Sequence, residues 1–138
     1  MASRRSLVRL IPIVIAIALL LYLRRPASAP VGASLAEAFR GHRSDVVVQT
    51  AGRVIKLLPD DRNGSRHQRF LFQSEGITVL VAHNLDVAPR VPLAPGDSIQ
   101  LSGQYEWNEK GGVIHWTHRD PGGGHPPGWI RWRDSLFQ

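Results

Sequence analysis

Four histidines, His83, His115, His118 and His125, accompany two carboxylates, Asp86 and Asp120, in a chain that has no cysteine. Imidazole and carboxylate are the ligands a divalent transition metal needs where thiolate is missing. A metal held by His83, Asp86, His115, His118 and Asp120, with one position open, would acidify a bound water and support hydrolysis, for instance of a phosphodiester. The spacing argues partly against this. His115 and His118 are three apart, and strand side chains alternate with period two, so an ideal strand turns them to opposite faces. A bulge or strand end must fall between them. His118 sits near such an end, before Asp120-Pro121, and His83 closes its own apolar run. The metal reading therefore expects these ends to converge on one rim. The alternative is that each histidine satisfies a local backbone or carboxylate partner.

A second constellation is the stretch DDRNGSRHQR, Asp60 to Arg69. Its centre is a strong turn signal. Arg62, Arg66, His67 and Arg69, joined by His83 and Asn84, could hold a phosphate or carboxylate through bidentate hydrogen bonds. Asp60 and Asp61 could instead pair with Arg66 or Arg69 and fix the loop. All four tryptophans, Trp107, Trp116, Trp129 and Trp132, fall in the last 32 residues. Exposed, they would stack on bases or sugars; buried, they would close the core, and closure is the expectation. Glu106 and Glu109 read as turn residues. No G-x-S-x-G, phosphate loop or dinucleotide fingerprint occurs.

The elements that must position these residues are mostly strands. Ala33 to Arg40 carries Leu35, Ala36 and Phe39 at helical spacing behind Ser34, and predicts a short helix. Five β-rich stretches follow: Asp45–Leu58, His67–Ser74, Ile77–His83, Asp97–Trp107 and Val113–His118. Gly52 interrupts the first, as at a bulge or bend. Glu75-Gly76 and Asn108–Gly112 are hairpin-length connections. Pro89, Pro92 and Pro95 exclude a regular helix between the third and fourth stretches. The expected fold is all-β, a small five-stranded OB-like Greek-key barrel with a short N-terminal helix.

A membrane leader precedes the domain. Leu10 to Leu23 is unbroken apolar sequence, with Arg4, Arg5 and Arg9 before it and Arg24 and Arg25 after. Residues 1–25 read either as a signal peptide, with Ala27-Ser28-Ala29 as the cleavage stretch, or as an uncleaved transmembrane anchor helix. Residues 26–33 form a linker and 34–138 the domain. Either reading puts the domain outside the cytoplasm, on the cell membrane facing the periplasm or exterior, or secreted to the periplasm.

The leader also explains the charge. The chain carries +6 and a pI near 11, but five of the seventeen basic residues flank the apolar run. The rest of the chain has twelve basic groups against eleven acidic ones, a net of +1. That balance disfavours duplex nucleic acid as a partner, since such modules show a strongly basic face.

From about Phe39 onward the chain resembles a bacterial family of short exported proteins catalogued as domain of unknown function 3465. The runs that carry the resemblance are LLPDDRNGSRHQRF, AHNLDVAPRVPL, GQYEWNEKGGVIHWTHRDP and GGHPPGWI. The resemblance implies an exported OB-like domain and conveys no activity. Three functions follow from these readings. The leading one is a module binding a small or oligomeric, polar or anionic ligand. A divalent-metal hydrolase and a structural envelope-interaction protein are the alternatives, and the membrane is a partner through the leader.

Overall fold

The computed structural model describes residues 32–138. The leader, residues 1–25, and most of the linker lie outside the described residues. Among those described, no helix is long and apolar enough to cross a membrane. The end of the linker is already engaged: Ala33 donates to the Val47 carbonyl at 3.2 Å and bridges to Val48.

One short helix, α1 (Leu35–Arg40), precedes seven strands: β1 (Val46–Asp61), β2 (His67–Ser74), β3 (Ile77–Asn84), β4 (Ser98–Glu106), β5 (Val113–His115), β6 (Trp129–Trp132) and β7 (Ser135–Phe137). They form one sheet in the order β1-β2-β3-β5-β4-β6-β7, and β4 also pairs with β1. The pairing therefore partly rings β1, β2, β3, β5 and β4. The five expected strands are there; β6 and β7, which flank the turn at Arg133-Asp134, come from the tail and add to them.

The ring depends on β1, which is long enough to serve two neighbours. Its first half, Val46 to Arg53, pairs with β4, and from Arg53 onward it pairs with β2. The handover falls beside Gly52. A Cβ there would stand 2.1 Å from the Gln73 carbonyl oxygen, so only glycine lets β1 and β2 approach this closely. Beyond it the β1–β2 register shifts between Val54 and Lys56, the strong local bend that a bulge supplies.

Alternation sorts the strands into an inner and an outer face. Val48 and Val54 of β1, Phe70 and Phe72 of β2, Val79 and Val81 of β3, and Ile99, Leu101 and Tyr105 of β4 are all buried. Ile114 and Ile130 join them from β5 and β6, and Leu35 and Ala38 from α1. Each large apolar side chain removed from water stabilises the fold by about 1.5–3 kcal/mol, without help from disulfide or metal. Trp107 and Trp132 pack against this core as half-buried rings. Tyr105 is fully buried and donates to the Gly111 carbonyl at 3.0 Å, which folds the β4–β5 loop over the core.

The β2–β3 hairpin turns at Glu75-Gly76 with φ of 51° and 79°, the left-handed pair that a two-residue type I′ turn requires. This turn also holds α1. The Glu75 carboxylate accepts from the Ser34 hydroxyl and from the Ala36 amide at 3.0 Å, at the helix start. Partial burial pushes its pKa up, but hydrogen bonds from Ser34, Ala36 and Thr50 outweigh that and leave it below the ordinary carboxylate range.

Candidate functional site

The histidines divide into two environments. His83, the last inward-facing residue of β3, is fully buried. Its Nε2 lies 3.1 Å from the Pro89 carbonyl, which can only accept, so Nε2 carries the proton. Nδ1 is then the acceptor for the Thr117 hydroxyl at 2.7 Å. Burial drives its pKa down to about 4; the nearby His118 and His67 push the same way, and the bonds to Pro89 and Thr117 oppose them. Both ring nitrogens are occupied and neither meets solvent. His83 is a core tie between β3, the proline-rich segment and the chain after β5, and in this arrangement it presents no free nitrogen to a metal or ligand.

His115, His118 and His125 gather around Trp116. Trp116, held at φ +53°, lies parallel to His125 with ring centroids 4.5 Å apart, and the His115 ring is tilted against Trp116 at 4.6 Å. His118 meets His125 edge-on at 4.8 Å and donates from Nδ1 to the Arg119 carbonyl at 2.8 Å. His115 Nε2 faces Glu106 at 3.4 Å. Asp120 does not face the imidazoles as a ligand would. Its carboxylate closes the 120–125 loop, accepting from the amides of Gly122, Gly124 and His125. Asp86 likewise accepts from the Arg66 amide at 3.1 Å. Among the described residues, no three histidines or carboxylates are placed to share a metal ion. The sequence expected His83, Asp86, His115, His118 and Asp120 to meet; here each has its own partner, Pro89 and Thr117 for His83, Glu106 for His115, and nearby backbone for Asp86, His118 and Asp120.

The arginine-rich loop is also divided. Asp61, His67 and Asn84 align across β1, β2 and β3. Arg62 and Arg66 are exposed on the β1–β2 loop. Arg69 is engaged, its Nε donating to the Pro59 carbonyl at 3.0 Å. Asn84 Oδ1 caps the next turn, accepting from the Asp86 amide at 2.8 Å. Asp60 pairs with Arg90 rather than with Arg66 or Arg69. With His83 on the inner face and Arg69 and Asn84 tied to backbone, the expected ligand set does not converge.

A groove of about 890 Å³ opens elsewhere, on the outer face where β1 passes from β4 to β2. That is the volume range of ligand clefts. Register builds it. Gln73, Arg53 and Ser98 stand side by side on β2, β1 and β4, and Ala51, Gln100 and Arg131 on β1, β4 and β6. Arg133, in the turn after β6, completes the lining. All three guanidiniums belong to exposed residues. Two are braced: Arg53 donates to the Gly96 carbonyl at 2.8 Å, and the Arg133 guanidinium lies 4.2 Å from the Trp132 ring centroid. Trp132 is fixed in turn by its Nε1 bond to Asp97 at 2.8 Å. The Asp97 carboxyl lies below its usual range, held there by the Ala94 amide first and by Trp132 second. Glu75 is the one carboxylate in the lining, and it is committed to capping α1. Three guanidiniums against Glu75 in the lining and Asp97 beside Arg133 leave a net positive, anion-attracting surface.

No local pattern marks this groove in the sequence, because Arg53 and Arg131 are 78 positions apart. The alternation Trp129, Arg131, Arg133 was the readable trace, since it sets two cations on one face of a strand and the turn that follows it.

No curated protein matches the chain. One family does, that of the protein of unknown function DUF3465, over residues 15–138, so the match begins within the apolar run rather than at Phe39. Spanning most of the sequence, it shows that the chain belongs to the DUF3465 family.

Proposed function

We propose that the ringed strands form an OB-like Greek-key barrel that serves as a binding module for a polyanionic ligand, displayed outside the cytoplasm by the arginine-flanked apolar leader. The order β1-β2-β3-β5-β4 with return to β1, and the parallel pairing of β3 with β5, support the barrel reading. The observation that carries the function is the outer groove, whose lining brings three guanidiniums, Arg53, Arg131 and Arg133, together with a single carboxylate, Glu75, among the described residues. Guanidinium forks suit carboxylate and phosphate oxygens, and bracing two of them lowers the ordering cost of binding.

The test is fluorescence anisotropy of labelled oligouronate, oligothymidylate and polyphosphate, titrated with the full-length chain in neutral detergent at low salt. At least one should bind and weaken as salt rises. Charge reversal at Arg131→Glu with Arg133→Glu should then reduce affinity at least about tenfold, while the melting temperature holds, as expected of surface substitutions. Failure of all three probes to bind, or equal binding by the variant, would remove the proposal.

A further inference from the structure

We infer that the polyanion is an acidic glycan bearing carboxylates, an assignment that rests on the binding-groove reading above. Three features of the groove separate it from other anions. The first is length. The lining runs across β2, β1, β4 and β6, three interstrand steps or about 14 Å. A single inorganic anion fills only a fraction of that, so the ligand is an oligomer whose charges repeat.

The second is the chemistry between the arginines. Gln73, Gln100 and Ser98 are exposed there and interleave with the cations in the two rows. Amide and hydroxyl groups both donate and accept, which matches sugar hydroxyls, themselves donors and acceptors. A polyphosphate chain offers acceptors only and would leave the amide oxygens of Gln73 and Gln100 to water, using half of what these side chains offer.

The third is the absence of a stacking platform. Among the described residues no aromatic lines the groove, and two rings beside it, Trp129 and Trp132, each have a guanidinium over them, Arg131 at 5.9 Å and Arg133 at 4.2 Å. Single-stranded nucleic acid draws much of its affinity from bases stacked on such rings. Sugars stack on exposed rings too, but a carboxylated sugar chain can be held without them, by guanidinium forks at its acids and amides at its hydroxyls, and this surface supplies both.

The experiment compares five probes on the full-length chain in neutral detergent: a galacturonate hexamer, its neutral methyl ester, a sulfated glycan of the same length, an oligothymidylate and a polyphosphate. The uronate should bind most tightly, and esterification should cost at least about tenfold through loss of the charge-assisted bonds. Gln100→Ala should weaken uronate binding by about three- to tenfold, the worth of a neutral hydrogen bond, and leave polyphosphate binding unchanged. Tighter binding of oligothymidylate or of the sulfated glycan would overturn the assignment while leaving a polyanion site in place. Equal binding of the ester would overturn it too. If no polyanion binds, this inference and the binding function fall together.

Discussion

The Nδ1 atom of His83 lies 2.7 Å from the Thr117 hydroxyl, inside the core and away from solvent. With Nε2 donating to the Pro89 carbonyl, the imidazole is neutral and both its nitrogens are used. A residue type that suggests a metal or a ligand in sequence is here a structural tie. The reason is positional: β3 alternates Val79, Val81 and His83 onto one face, and that face is the core.

This burial makes stability depend on pH. The unfolded chain takes up a proton on His83 near pH 6.5, the folded protein only near pH 4. Between those values the unfolded state binds more protons, so the stability contributed by neutral His83 is whole above pH 6.5 and is lost as pH falls toward 4. The shift corresponds to about 3 kcal/mol. Urea unfolding from pH 7 to 4 should show the loss, and His83→Gln should flatten the curve by about one proton. An unchanged slope in the variant would show that His83 titrates normally.

Gln68 is expected to matter more than a surface glutamine. It is buried on the inner face of β2, where its amide donates to the Val91 carbonyl at 2.7 Å and accepts from the Val91 amide at 3.0 Å. The side chain replaces a strand partner for the proline-rich segment, which has none. Gln68→Ala leaves the buried Val91 amide unsatisfied, at about 1–3 kcal/mol, while the Val91 carbonyl keeps the Leu93 amide at 2.8 Å. Thermal unfolding should show the drop, and hydrogen exchange should show protection lost at Val91 first. A melting temperature within a degree or two of the parent would contradict this role.

Gly52→Ala tests the handover in β1. The added methyl would meet the Gln73 carbonyl oxygen and the Phe72 ring, and backbone cannot yield as a flexible side chain can. Destabilisation of about 1–3 kcal/mol is expected, as for an overpacked core. Because Gly52, Arg53 and Gln73 all line the groove, polyanion affinity should fall with stability. A variant as stable as the parent would mean that β1 and β2 are less closely apposed.

Much of the domain was legible because its strands are written locally. Phe70, Phe72, Val79, Val81, Ile99, Leu101 and Tyr105 alternate with outward residues, and period two needs no tertiary knowledge. The β6–β7 hairpin was harder. Trp129 to Phe137 is short, and its pairing with β4 is set by Leu101 and Ile130 meeting across a long separation. The site was least legible. Histidine and arginine clusters in sequence suggested convergence, but Asp86, Arg69 and Asp120 found backbone partners within their own loops or in the neighbouring strand or turn. The cations that do converge share a place only through register, and register is a property of the folded sheet.

Amide chemical-shift mapping of the full-length chain in neutral detergent, on addition of the galacturonate hexamer, tests the groove most directly. The largest changes are expected at Ala51 to Arg53, Ser98 to Gln100 and Arg131 to Arg133. Changes concentrated at Arg62 to Arg69 with Asn84, or an unaltered spectrum at saturating glycan, would contradict the assignment of the ligand to this surface.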